Sequence, residues 1–139
     1  MITLVDSCVL LDIFTQDPRW FAWSAEKLAH SYAGGQVAIN PIIYSEVSVH
    51  FSRIEELDEA LPEGEFRRLP LPWTAGFLAG KCFEKYRHQG GSRRSPLPDF
   101  YIGAHAVIEG MVLLTRDPSR YRAHFPALKI VSPSGRDIG

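Results

Sequence analysis

The sequence predicts an α/β fold: a three-layer α/β/α sandwich around a roughly five-stranded parallel sheet, formed by a single domain over residues 1–139. Three observations carry this expectation. Short apolar runs alternate along the chain with longer segments of helical period. One run, Val112 to Leu114, has no polar member, as suits a strand covered on both faces. No repeat, low-complexity tract or long linker divides the 139 residues. At that length roughly two-thirds of the unfolded surface can be buried without disulfide or metal staples.

The elements follow in order. Ile2 to Val5 reads as a buried strand and Ser7 to Phe14 as a short helix. Trp20, Ser24, Leu28 and Tyr32 recur at four-residue spacing beside Ala25 and Ala29, which marks an amphipathic helix. Gly34-Gly35 stops it. Val37 to Ile39 forms the second strand. Asn40-Pro41 opens a helix, because Asn caps well and Pro suits the first helical position. This helix is expected to run to about Phe51, and another spans Arg53 to Leu61, before Pro62. Phe66 to Leu69 reads as an edge strand, since Arg67 and Arg68 call for solvent. Trp73 to His88 is a long helix that ends at Gly90-Gly91. Pro98 opens a helix whose Gly103, Ala104 and Ala106 allow close packing on a sheet, and Gly110 ends it. After the Val112 to Leu114 strand, Asp117-Pro118 repeats the cap-plus-proline helix start. Leu128 to Val131 is the last strand.

Composition narrows the function. Apolar residues are 45% and charged residues 22% of the chain, near the globular average, which excludes wholesale disorder. The longest apolar runs are a few residues, far short of the roughly 20 that span a bilayer. The N-terminus lacks a basic stretch leading into a long apolar segment, so no secretory leader is expected, and a cytoplasmic location is the expectation. Cys8 and Cys82 offer neither a disulfide framework nor a zinc quartet and are expected as small core residues. A net charge of −1 excludes a generally basic nucleic-acid coat. The near-neutrality sums opposites: an acidic run from Ile54 to Glu65 and a basic run from Lys81 to Arg94, with Arg116, Arg120 and Arg122 beyond.

Four carboxylates sit at helix entrances. Asp6 directly follows the first strand, Asp99 lies in the first turn of the Pro98 helix, and Asp117 follows the Val112 to Leu114 strand after Thr115 and Arg116. Glu46 lies about one and a half turns into its helix, in an otherwise apolar stretch. Parallel sheets present ligands at the carboxyl ends of their strands, and three of these acids belong to that edge, with Glu46 able to lean over it. Carboxylates crowded together must take up protons or bind a cation. All-oxygen donors suit Mg²⁺ or Mn²⁺. Such an ion would generate a hydroxide nucleophile, hold a phosphate oxygen and stabilise a leaving alkoxide, with no Ser or His nucleophile required. The five His residues show no metal-ligand spacing.

Val5-Asp6-Ser7-Cys8-Val9-Leu10-Leu11-Asp12, Ile43-Tyr44-Ser45-Glu46-Val47, Pro98-Asp99-Phe100-Tyr101-Ile102-Gly103-Ala104 and Leu114-Thr115-Arg116-Asp117, in this order, resemble the PIN-domain nucleases. Within that superfamily the chain resembles the VapC-type ribonuclease toxins of bacterial toxin–antitoxin pairs, from Met1 to about Val131. The resemblance implies a Mg²⁺- or Mn²⁺-dependent endoribonuclease in which Asp6, Glu46, Asp99 and Asp117 ring the ion. It implies direct contact for Asp6 and Asp99, and direct or water-mediated contact for Glu46 and Asp117. Ser7 and Thr115 match small hydroxyl positions that orient the carboxylates or a bound water. Asp12 matches a frequent family acid but is expected in a structural role at a helix end. The resemblance also implies a homodimer, an RNA substrate and a small antitoxin. The stripe Trp20, Phe21, Trp23, Ala25 and Leu28, and the helix from Ile42 to Phe51, are candidate surfaces for these contacts. In the loop Gly90 to Leu97, Arg93 and Arg94 could grip flanking phosphates as bidentate donors.

Other classes are weighed against this reading. A phosphatase with an aspartyl-phosphate would place a second acid two residues after Asp6, where this chain has Cys8. A non-toxin PIN-like nuclease, or a metal-binding RNA-binding module without turnover, is the remaining alternative.

Overall fold

The computed structural model describes residues 1–92 and 97–133. Its elements are β1 (Ile2–Val5), α1 (Ser7–Phe14), α2 (Phe21–Gly34), β2 (Gln36–Ile39), α3 (Pro41–Ser48), α4 (Ile54–Ala60), β3 (Arg67–Arg68), α5 (Trp73–His88), α6 (Pro98–Ile108), β4 (Val112–Leu114), α7 (Ser119–His124) and β5 (Ile130–Val131). All strand pairs are parallel, in the order β3-β2-β1-β4-β5, with helices packed about the sheet as an α/β/α sandwich. The expected fold class is therefore the observed one.

Burial explains the short strands. Leu4, Val5, Ala38, Ile39, Leu113 and Leu114 are essentially inaccessible, and the helices contribute Leu10, Ile43, Val47, Leu57, Phe100 and Ile102 to the same core. Thr3 pairs with Val112, Leu4 with Leu113 and Val5 with Leu114. This register puts Asp6 and Thr115 side by side at the carboxyl end of the sheet. The chain leaves β1 toward β2 on one side, while β4 lies on the other. The Asp6–Thr115 edge is thus the switch point where parallel α/β sheets bind ligands.

Several boundaries differ from expectation. The helix α3 ends at Ser48, three residues before Phe51, and the Ser48 hydroxyl turns back onto the Ser45 carbonyl at 2.6 Å. The edge strand shrinks to Arg67 and Arg68, which pair only with Ala38 and Ile39. The final strand keeps only Ile130 and Val131. Asp117 does not cap α7: Pro118 occupies that position and the Asp117 carboxylate is exposed. Asn40 behaves as expected, its Oδ1 accepting from the Ile43 N–H at 2.9 Å. Gly110, at φ 64°, ends α6 in the left-handed conformation that favours glycine.

Gly103 performs a different task from the one expected. The Phe125 ring, just after α7, fills the space where a Cβ would stand, so the glycine docks α7 rather than the sheet. Cys8 and Cys82 are half-buried and pack at the margin of the core rather than within it. In the amphipathic helix α2 only Ser24 is fully buried; Leu28 is half-covered, and Phe21 and Tyr32 are exposed. The acidic run lies mostly outward on α4, where Asp58 meets Arg68 at 2.9 Å and accepts from the Tyr44 hydroxyl at 2.7 Å.

Candidate active site

Asp6 serves at once as the residue after β1 and the cap of α1. Its backbone N–H continues the ladder by donating to the Leu114 carbonyl at 2.9 Å. Its side chain turns into the α1 entrance, where Oδ1 accepts from the Ser7 N–H at 2.8 Å. The β1–β4 register brings the Thr115 hydroxyl to Oδ2 at 2.8 Å, and Tyr121 of α7 reaches the same oxygen at 3.0 Å. Asp6 is 5% exposed. Burial raises its pKa, the Asp99 charge adds to the rise, and the three hydrogen bonds oppose it.

Glu46 joins from α3 through Ser7, whose hydroxyl donates to Oε1 at 2.9 Å. Its pKa is also raised, first by burial and then by Asp6 and Asp99. Three acids from separate segments thus share one electrostatic environment. Asp99, in the first turn of α6, is held by α7 through both oxygens. Tyr121 lies 3.1 Å from Oδ1, and the Arg120 guanidinium donates to Oδ2 at 3.1 Å.

Asp117 stands apart. Its backbone N–H donates to the Thr115 hydroxyl at 3.1 Å, while its carboxylate faces outward beside Arg116, 69% exposed. Asp99, Asp117, Arg120 and His124 border one open cleft of about 510 Å³, so the fourth acid shares its rim. Arg93 and Arg94 lie outside the described residues.

Two features escaped sequence reasoning. Tyr121, 1% exposed, joins two of the acids. Its signal was present: Tyr121 and Phe125 are four apart and mark the inward face of a short helix directly after Asp117. The other is the partner of Asp12. Arg116 donates from Nε to Oδ2 at 2.8 Å and from its terminal nitrogen to Oδ1 at 2.9 Å, and the Ser24 hydroxyl adds 2.8 Å to Oδ2. Asp12, in the last turn of α1, therefore has the structural helix-end role expected of it, as a buried counter-charge for the β4–α7 loop. Cys8, where a second phosphatase acid would stand, has its thiol pushed up to about 12 by burial and by Asp6.

Among the described residues no three His, Cys, Asp or Glu side chains are gathered closely enough to hold a metal ion as they stand. The donor chemistry nonetheless fits a hard cation. Asp6, Glu46 and Asp99 supply only oxygens, and each keeps lone pairs beyond those engaged in hydrogen bonds.

This strand order, with acids gathered at its switch point, defines an α/β domain with a carboxylate-lined site. Residues 3–125 match the PIN domain family, and the chain belongs to that family. No curated protein sequence matches it. Its fold is similar to that of VapBC2 from Rickettsia felis, solved bound to a promoter DNA fragment, with a TM-score of 0.68 and 19% identity over 95% of this chain and 98% of that one. VapBC-1 from nontypeable Haemophilus influenzae gives a TM-score of 0.70 and 18% identity, again over 95% and 98%. A toxin–antitoxin complex from Klebsiella pneumoniae gives 0.68 and 21%, over 94% and 97%. No helix among the described residues is long and apolar enough to cross a membrane.

Proposed function

We propose that this PIN-domain protein is a metal-dependent endoribonuclease, the toxin of a type II toxin–antitoxin pair, acting in the cytoplasm and restrained by a small cognate antitoxin. One observation carries the reading: Asp6, Glu46 and Asp99, from three distant segments, are joined by Ser7 and Tyr121 into one hydrogen-bonded chain at the sheet's switch point. Family membership supports nuclease chemistry, and the shared fold with VapBC and toxin–antitoxin complexes supports the toxin role.

Asp6, Glu46 and Asp99 would hold Mg²⁺ or Mn²⁺, with Asp117 contributing from the rim. When bound, the ion would activate water and neutralise charge developing on the phosphodiester. The protein's own part is orientation. Thr115 and the Ser7 N–H fix the Asp6 carboxylate, and the Ser7 hydroxyl holds Glu46 toward it. Arg93 and Arg94 are assigned to flanking RNA phosphates. A homodimer, and antitoxin contact through the partly uncovered α2 stripe or α3, complete the reading.

The test is RNA cleavage with Mg²⁺ or Mn²⁺, stopped by chelator. Asp6→Asn and Asp99→Asn are expected to abolish cleavage while circular dichroism reports a retained fold. Retained cleavage in both variants overturns the mechanism. Growth arrest on expression that requires Asp6, and is relieved by the product of an adjacent short reading frame, tests the toxin assignment.

A further inference from the structure

Tyr121 buries its ring, and its single hydroxyl lies between two carboxylates, 3.0 Å from Asp6 Oδ2 and 3.1 Å from Asp99 Oδ1. A phenol has one proton, so it donates to one of these oxygens at a time while remaining in contact with both. Its placement is rigid. Phe125, one turn later and 5% exposed, seats against Gly103, so α7 is pinned to the same helix that carries Asp99. The Asp99 carboxylate is only partly covered and could otherwise turn to solvent, away from a like charge.

Lone-pair use favours support rather than obstruction. Thr115 and Tyr121 occupy Asp6 Oδ2, and the Ser7 N–H takes one site on Oδ1, which leaves another open. Asp99 gives one contact to Tyr121 and one to Arg120, with further sites open on both oxygens. Carboxylates that bind metal are themselves oriented by such outer hydrogen bonds.

We infer that Tyr121 is a positioning residue, whose hydroxyl holds Asp6 and Asp99 facing one another so that both can grip a single divalent ion. The inference rests on the metal-nuclease reading above, and goes beyond it in assigning the alignment of two acids to a residue from a third segment.

The test is Mn²⁺ binding by isothermal titration to the whole chain. Tyr121→Phe keeps the ring and removes the hydroxyl. Its Mn²⁺ affinity is expected to fall about 10–100-fold, the usual effect of losing an outer support, with the circular dichroism spectrum unchanged. Incorporation of 4-aminophenylalanine at position 121 restores an N–H donor and is expected to recover most of the affinity. It also serves as the measured variant should the phenylalanine protein fail to fold. A folded Tyr121→Phe protein that binds Mn²⁺ as tightly as wild type overturns the inference, as does a folded amino variant that binds no better than Tyr121→Phe. Failure of the underlying reading looks different: the wild type itself then binds no Mn²⁺ and cleaves no RNA, and the inference falls with it.

Discussion

Arg116 meets Asp12 in a two-pronged ion pair, Nε to Oδ2 at 2.8 Å and a terminal nitrogen to Oδ1 at 2.9 Å, across 104 residues of sequence. The pair fastens the loop carrying Thr115 and Asp117 to the body of α1. The Arg116 guanidinium also lies over the Trp20 ring, 5.5 Å from its centroid.

Removing the cation leaves a buried carboxylate without its counter-charge. Arg116→Ala is expected to cost about 3–5 kcal/mol of stability, as for other broken buried pairs. Arg116→Lys restores charge but not the fork, and should recover only part of the loss. Urea unfolding of the three proteins checks the order.

Divalent ions should stabilise the folded protein. Asp6 and Glu46 have pKa values above their ordinary 3.8 and 4.5, so folding favours their neutral forms. Their contribution is therefore present at pH below those ordinary values and is lost as pH rises through the raised folded ones. A cation reverses that loss. At about a hundredfold excess over Kd, Mg²⁺ or Mn²⁺ is expected to add roughly 2.7 kcal/mol near neutral pH. The effect should fade in acid as the carboxyls take up protons. Thermal unfolding with metal and with chelator, across pH, tests both statements.

His105 predicts a second pH effect of opposite sign. It is buried, Asn40 lies 3.0 Å from its Nδ1, and burial lowers its pKa below 6.5, with Glu109 opposing. A depressed His pKa contributes stability above the unfolded value, and that stability is lost as pH falls through the folded one. The ring should therefore titrate by NMR below 6.5. Loss of stability attributable to this residue should appear on the acid side of that value and be absent in His105→Gln.

Gly103→Ala tests the docking of α7. An added Cβ would come within 2.4 Å of the Phe125 ring. The expected cost is about 1–3 kcal/mol, typical of overpacking. Because α7 carries Tyr121 and Arg120, Mn²⁺ affinity should weaken in the same variant.

Legibility in the sequence followed the range of the interaction. Helix starts at Asn40-Pro41 and Pro98, the stop at Gly110 and the apolar strands are written in neighbouring residues, so the fold class could be read directly. Strand ends were less legible, because Phe66 and Leu128 are apolar yet bond within their own loops, and Leu69 adds only its N–H to the Ile39 carbonyl at 3.0 Å. Among the acids, position after a strand placed Asp6, and entry into a helix placed Asp99. For Asp117 the same logic gave the correct rim, but also a capping role that Pro118 took instead.

The sequence alone determined the order of strands and helices and the edge at which the acids arrive, since both depend on caps, periodicity and chain direction. Tertiary structure decided which groups meet there. Thr115 reaches Asp6 because β1 and β4 pair in one register, and Tyr121 reaches Asp6 and Asp99 because Phe125 seats against Gly103. Those contacts link residues up to 115 positions apart. Their geometry is set by packing between elements, and no local preference encodes it.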